Sequence, residues 1–279
     1  MAKRIAAVHD LSGLGKCSLT AAIPVLSALR VQACPVPTAI LSNQTGFSEY
    51  YIVDGTEWIE QFLCQWRKCG LTLDGIYTGF FGNATQIDGA MRLVEAYRPA
   101  GAFLLVDPVM GDDGQIYATY TADMCRKVGK LAEQADILTP NLTEACLLAG
   151  VPYDAVANGS EEERLDKAMT LAKQLAGNSR QVVITGVHSG EYVYNLAAGR
   201  ESFLVRGHRI RGHFSGTGDL FASVLCGCVA GGHTLKAGVE LATRFIEAAL
   251  QDTFGPPEHG VEFEQHLGLL TAFKEGQTL

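Results

Sequence analysis

The sequence predicts an α/β fold with a mainly parallel central sheet covered by helices on both faces. Three observations lead there. Short β-branched or apolar runs bounded by Gly, Asp or Pro recur along the chain, and helical patterns lie between them. Runs such as AFLLV (102–106) and QVVITGV (181–187) are nearly continuous instead of alternating, which suits strands buried on both faces. The chain has 279 residues, 47% of them hydrophobic and only 19% charged, enough to bury a large core.

In order, the strand candidates are RIAAVH (4–9), VQACPVPTAI (31–40), GIYTGF (75–80), AFLLVD (102–107), DILTP (136–140) and QVVITGV (181–187). A helix is predicted over 161–176, where Leu165, Ala168, Met169, Ala172 and Leu175 share one face after Ser160, a candidate N-cap. EYVYNLAA (191–198) and ESFLVRGH (201–208) flank Gly199-Arg200 as a hairpin, adding antiparallel strands at one edge. No repeat, low-complexity tract or linker interrupts the pattern. Residues 1–279 are therefore read as one domain with a small lid or flap excursion around 41–54.

Charge and cysteine usage narrow the function classes. A formal net charge of −8 argues against a general nucleic-acid or anionic-membrane binder, since both need a basic footprint. MAKRIAAVHD lacks the long apolar stretch of a signal peptide, and no apolar run approaches the ~18 residues of a membrane span. The eight cysteines, at 17, 34, 64, 69, 125, 146, 226 and 228, form no C-x-x-C or zinc-like spacing. They are expected to be reduced and mostly buried, and the protein cytoplasmic.

HDLSGLGKCSL (9–19) contains the Gly-Lys pair that ends a phosphate-binding P-loop. That motif needs a glycine five positions before the pair's own glycine and a Ser or Thr after its lysine. Asp10 and Cys17 stand there instead, so the loop fails at both chemically necessary places. Ligands of open α/β sheets sit outside the carboxyl ends of the strands. Polar residues gather at those ends: Asp10, SNQTG (42–46), FFGN (80–83), DPVMGDDG (107–114), TPNLTE (139–144) and TGVHSG (185–190).

The strongest local signal is RGHFSGTGDLFASVLCGCVAGG (211–232), a glycine-rich turn running into an apolar helix. Gly216 and Gly218 allow a tight turn with N–H groups pointing outward, and the helix N-terminus adds positive dipole, so the place favours an anion. Asp219 occupies the first helical turn. Alone it could simply complement the dipole; beside an anion cradle it is placed to take a proton from a hydroxyl as phosphate arrives.

GTGD (216–219), DPVMGD (107–112) and TPNLTE (139–144), in this order and spacing, resemble the ribokinase-like superfamily. LSNQTGF (41–47) and TGFFGN (78–83) are similar to its pyridoxal kinase branch. The resemblance implies a three-layer α/β/α fold and ATP-dependent phosphorylation of the hydroxymethyl group of vitamin B6 vitamers, commonly by a homodimer. It places the catalytic base on Asp219 and the anion hole on Gly216, Thr217 and Gly218. Asp107 and Asp112 match acids near the metal and the ATP phosphates, and Asn141 and Glu144 match the pair that supports Mg²⁺ and its waters. Asp107 and Glu144 are thus the metal candidates, and oxygen ligands are what Mg²⁺ demands. A monovalent cation such as K⁺ stands as a further candidate cofactor. Thr139 and Thr185 match positions beside the triphosphate, Thr45 a hydroxyl that meets the ring's phenolic oxygen, and Phe80 an aromatic residue that covers the ring. Structural alternatives stay open: Asp107 as a turn residue before Pro108, Asn141 and Glu144 as a helix cap, Phe80 as core.

The position of Asp10 usually carries a serine that contacts the pyridine nitrogen in this branch. Asp10 is a departure that leaves the kinase chemistry intact and reopens vitamer preference, with an Asx turn as the alternative role. GLGK then belongs to a substrate-side turn, and Lys16 to the surface or a helix start. Competing functions are a hydroxymethylpyrimidine kinase, over which SNQTG (42–46) and Phe80 favour a pyridoxine-like substrate, and a catalytically silent vitamer- or nucleotide-sensing protein, against which Asp219 and the intact cradle argue.

Overall fold

The computed structural model describes residues 2–210, 212 and 214–273; Arg211 and His213, at the start of the glycine-rich stretch, lie outside them. The strands are β1 (Lys3–Ser12), β2 (Val31–Leu41), β3 (Ile52–Asp54), β4 (Gly75–Thr78), β5 (Phe103–Val106), β6 (Gly111–Asp112), β7 (Gln115–Ile116), β8 (Ile137–Leu138), β9 (Gln181–Ser189), β10 (Tyr192–Ala198) and β11 (Phe203–His208). The helices are α1 (Ser18–Ala28), α2 (Trp58–Lys68), α3 (Ala84–Tyr97), α4 (Ala122–Glu133), α5 (Leu142–Ala149), α6 (Tyr153–Ala157), α7 (Glu161–Ala176), α8 (Thr217–Ala230), α9 (Leu235–Gln251) and α10 (Leu267–Thr271).

Among the described residues nine strands form one sheet in the order β11-β10-β9-β8-β5-β4-β1-β2-β3, and β6 and β7 pair as a separate short hairpin. The pairs from β9 through β8, β5, β4 and β1 to β2 are parallel. Alternate residues of β1 serve the two faces. Ala6 and Val8 pack into a core with Ile59, Ile87, Leu93 and Leu171, while Ile5 packs with Val25, Leu220, Leu225 and Phe245 on the other side. This three-layer arrangement is the ribokinase-like fold expected from the motifs.

The predicted hairpin is β10–β11. The helix predicted over 161–176 is α7, and the Ser160 side chain accepts the Glu163 N–H as its cap. Two differences have physical causes. Antiparallel strands close both edges of the sheet, because β3, inside the 41–54 excursion, pairs with Ala39–Leu41 of β2. Three residues are too short to show a period. Pro35 and Pro37 are tolerated within β2 because β3 reaches only its far end, so neither proline has to donate to that neighbour. The second difference is Asp10, which lies inside β1 at the register shift between His9 and Leu11 rather than after the strand.

None of the eight cysteines is in a disulfide, but Cys64 and Cys69 are exposed, against the expectation of burial. Both belong to α2 and its C-cap, whose buried positions are Ile59 and Leu63. Among the described residues no helix is long and apolar enough to cross a membrane. The chain leaves β1 toward β2 on one side and later places β4 on the other. That reversal puts a crevice at the carboxyl ends of β1 and β4, where open α/β sheets bind ligands.

Candidate active site

Asp219 enters this crevice on the first turn of α8. Gly216, the N-cap, has φ 86°, a left-handed conformation, and a Cβ placed there would come within 2.3 Å of the Lys16 carbonyl oxygen. Glycine therefore lets the start of α8 press against the start of α1. Gly216 supplies no capping side chain, and helix geometry leaves the N–H groups of Thr217, Gly218 and Asp219 without intrahelical partners. Gly218 is exposed. A Cβ added to it would lie 4.0 Å from Asp107 Oδ2, so the cradle and the Asp107 carboxylate face one gap.

Asp219 is half-buried, its side chain 15% exposed. Burial pushes its carboxyl up to about 7; the Ser18 N–H at the start of α1 opposes the shift, and the nearby Asp10 carboxylate adds to it. The Tyr77 hydroxyl donates to the Asp219 backbone carbonyl at 3.3 Å. His9, fully buried, places Nδ1 3.8 Å from Asp219 Oδ1.

Asp107 follows β5 directly. Burial, then repulsion from Asp219, raises its carboxyl, while the Thr139 hydroxyl donates to Oδ1 at 3.1 Å and opposes the rise. Glu144 begins α5 in a reciprocal cap with Asn141. The Glu144 N–H donates to Asn141 Oδ1 at 2.9 Å, and the Asn141 N–H to Glu144 Oε2 at 2.8 Å. The Met110 N–H donates to Oε1 at 3.0 Å. Even so, burial and the Asp107 charge hold the Glu144 carboxyl well above the carboxylate range. Asp112 lies on β6, and the Asn141 amide donates to the neighbouring Gly111 carbonyl at 2.8 Å. Thr185 bridges to Asn141, its N–H bonding the Pro140 carbonyl at 2.9 Å.

Among the described residues no group of three or more His, Cys, Asp or Glu is arranged as a metal cluster. Mg²⁺ does not need one, since it keeps several waters and takes one or two carboxylates plus phosphate oxygens. Asp107 and Glu144 fit that demand: they are buried, the Asp107 charge raises the Glu144 carboxyl, and no cation is among the groups that act on either.

At the end of β1, the Asp10 carboxylate is buried and raised by that burial, with the Ser18 and Ser12 hydroxyls opposing; Ser12 Oγ donates to Oδ2 at 2.7 Å. Its partners are thus hydroxyls from β1 and α1 rather than only the amides of an Asx turn. Phe80 is half-buried after β4, packed against the core with its ring edge-on to Tyr120 at 6.2 Å, so it retains an open side. Thr45 is exposed on the turn after β2, with no hydrogen bond to Asp10 or Asp219. Its neighbour Gln44 ties that turn to the cradle, donating to Ser215 Oγ at 3.0 Å and to the Glu258 carbonyl at 3.1 Å. Lys16 bonds Glu262 and Glu264, as befits a helix-start cation rather than a phosphate ligand. Burial, with the charges of Asp219 and Asp10, holds the Cys17 thiol well above its usual range.

His9, Ser12, Ser18 and Tyr77 escaped the sequence reading, and Gln44 entered it only as part of SNQTG (42–46). His9 left a signal as a polar residue beside Asp10 at the end of an apolar run.

A family model described as Phosphomethylpyrimidine kinase matches residues 15–262. The pyridoxine/pyridoxal/pyridoxamine kinase of Bordetella avium (strain 197N) is 32% identical to this chain over 248 residues, covering 83% of it and 79% of the relative. A Bacteroides thetaiotaomicron protein that bears the name phosphomethylpyrimidine kinase, crystallised with pyridoxal, is similar at 33% identity and a TM-score of 0.90, over 99% of this chain and 98% of that one. Pyridoxal kinase from Lactobacillus plantarum is similar at 27% identity and a TM-score of 0.86, over 98% of each chain.

Proposed function

This chain belongs to the phosphomethylpyrimidine kinase family, and we infer from that premise and from the site that it is a kinase transferring the γ-phosphoryl group of ATP to the hydroxymethyl arm of vitamin B6 vitamers. The observation that carries the chemistry is Asp219. It sits at the mouth of the glycine cradle with a carboxyl near pH 7, close to the ideal proton affinity for a base working at neutral pH. Asp219 takes the proton of the vitamer hydroxyl as that oxygen attacks the γ-phosphorus in line. ADP departs, and the N–H groups of Gly216, Thr217 and Gly218 hold the charge on the transferring oxygens. The products are the 5′-phosphate, ADP and one proton.

Asp107 and Glu144 would hold Mg²⁺, with Asp112 and Asn141 beside them. When bound, the ion neutralises the triphosphate oxygens and offsets the mutual repulsion of the acids. Thr139 fixes Asp107, and Thr185, bridged to Asn141, lies on the nucleotide side. Asp10, Thr45 and Phe80 receive the vitamer ring. Residues 1–279 work as one domain with the 41–54 segment as a flap, for which the Gln44–Ser215 bond supplies a link to the cradle. Ile40, Ile52 and Val53 are exposed at the β3 edge, where Tyr51 is 71% exposed, and this apolar edge supports a homodimer. Light scattering on the purified protein and on Ile52→Lys tests it. Eight cysteines outside any disulfide support a reducing, cytoplasmic setting.

The decisive experiment offers the purified protein MgATP with pyridoxal, pyridoxine, pyridoxamine or hydroxymethylpyrimidine. Turnover of the vitamers is expected. Turnover of hydroxymethylpyrimidine alone would move the assignment to the rival kinase, and turnover of none would leave a sensor. Replacing K⁺ by Na⁺ in the same assay tests a monovalent requirement.

A further inference from the structure

His9 has no task in the reaction just described, yet it is held as few side chains are. Its ring is fully buried and lies edge-on to Tyr77 with centroids 4.3 Å apart. Gly79 closes over it, since a Cβ there would approach His9 Cε1 to 2.1 Å. Neither ring nitrogen has a hydrogen-bond partner among the described residues. Buried polar groups are rarely left so, because an unpaired one destabilises the fold and an apolar side chain of similar shape would not. Asp219 Oδ1 lies 3.8 Å from Nδ1. That separation is beyond a hydrogen bond by less than 1 Å.

We propose that His9 is a positioning residue for Asp219: as a neutral imidazole with its proton on Nδ1, it donates to Oδ1 of the carboxylate when the site closes on substrate, turning Oδ2 toward the reacting hydroxyl. The inference rests on the reading of Asp219 as the base. Donation is the productive direction, since the working base is ionised and an ionised carboxylate only accepts hydrogen bonds. Asp219 needs such a donor. Asp10 from β1 and Asp107 beyond β5 both face it with like charge, and Ser18 of α1 supplies an N–H. The Tyr77 hydroxyl of β4 is directed at the Asp219 backbone carbonyl instead. Burial lowers the His9 ring to about 3, so it stays neutral and does not compete for the substrate proton.

Steady-state kinetics of His9→Leu and His9→Asn, with melting temperatures, test the role. In folded His9→Leu, kcat is expected to fall at least ~10-fold, the scale on which orienting partners act, with both KM values little changed. His9→Asn, whose amide can place an N–H near the Nδ1 position, should recover most of that loss. A merely structural histidine would give losses that follow melting temperature, with no recovery by Asn. Should both variants fail to fold, ¹⁵N-histidine spectra of the wild type decide: the solvent-protected imidazole is expected to be neutral and protonated on Nδ1, and its resonance to move in Asp219→Asn. A proton on Nε2, or wild-type kcat in folded His9→Leu, overturns the proposal. An inactive Asp219→Asn beside a normal His9→Leu would sink the role of His9 alone. A fully active Asp219→Asn would remove the base, and the role of His9 with it.

Discussion

At the start of α5 the Glu144 N–H donates to the Asn141 side chain at 2.9 Å, and Glu144 accepts the Asn141 N–H at 2.8 Å. At the start of α7 the Glu163 N–H donates to the Ser160 side chain at 3.2 Å, and Glu163 accepts the Ser160 N–H at 2.8 Å. The two helices open with the same reciprocal box, but the acids inside them are in opposite electrostatic states. Glu163 is exposed, and its bonds to Ser160 pull its carboxyl below the ordinary value. Glu144 is buried beside Asp107 and is driven above it. A box in solvent is finished once it has capped its helix. A box at the buried carboxyl edge leaves an acid whose ionised form no protein cation offsets. The start of α8 goes further: Gly216 caps with no side chain, and the first-turn acid Asp219 accepts the N–H of Ser18 on another helix.

The largest effect is expected where the helix start does least capping. Asp219→Asn should cut kcat by at least ~10²-fold while ATP binding, followed by nucleotide titration, stays nearly intact, because an amide cannot accept the proton. A variant that kept more than about a tenth of wild-type turnover would erase the distinction between α8 and the capped helices.

Next comes the box pair itself. Glu144→Gln should raise the Mg²⁺ requirement on the order of 10-fold, more than it changes the vitamer KM, whereas Glu163→Gln should leave the Mg²⁺ titration where it was. Superimposable titrations for the two variants would make α5 an ordinary cap.

A smaller change is expected on the substrate side. If Asp10 meets the ring nitrogen, its carboxylate favours the protonated pyridine, and Asp10→Ser should reorder pyridoxal, pyridoxine and pyridoxamine by a few-fold in kcat/KM with ATP parameters unmoved. A loss of about 1 kcal/mol of stability with the ranking unchanged would assign Asp10 to holding the turn.

The smallest effect separates the boxes by sign. Glu144 has a raised folded-state proton affinity, so its contribution to stability is complete below its unfolded pKa and is lost as pH rises through the raised value. Glu163 has a lowered one, so its contribution is present above its unfolded pKa and is lost as pH falls through the lowered value. Melting curves of metal-free protein should therefore show Glu144→Gln gaining on the wild type as pH rises from about 4 to about 8. Glu163→Gln should trail the wild type near neutrality and converge with it in acid. Added Mg²⁺ should shrink the gain of Glu144→Gln at the alkaline end. Two variants that followed one common trend would mean that burial does not distinguish the boxes.

Much of the architecture was readable in the amino-acid order because its signals are local. Continuous apolar runs mark β5 and β9 as strands covered on both faces, Ser160 followed by Glu163 marks the start of α7, and Gly216 with Gly218 marks a turn open to an anion. What only the tertiary structure decided depends on distance and dielectric between segments far apart in the chain. The pattern at Asn141 and Glu144 is that of a cap in either reading, and only burial against Asp107, more than 30 residues earlier, raises the carboxyl. Nor does the order of residues bring His9 of β1 to within 3.8 Å of Asp219 on α8, or press Gly216 against the Lys16 carbonyl. Those contacts form because packing α1 and α8 on one face of the sheet buries their shared apolar residues, and the carboxyl-edge groups are carried into the same low-dielectric crevice.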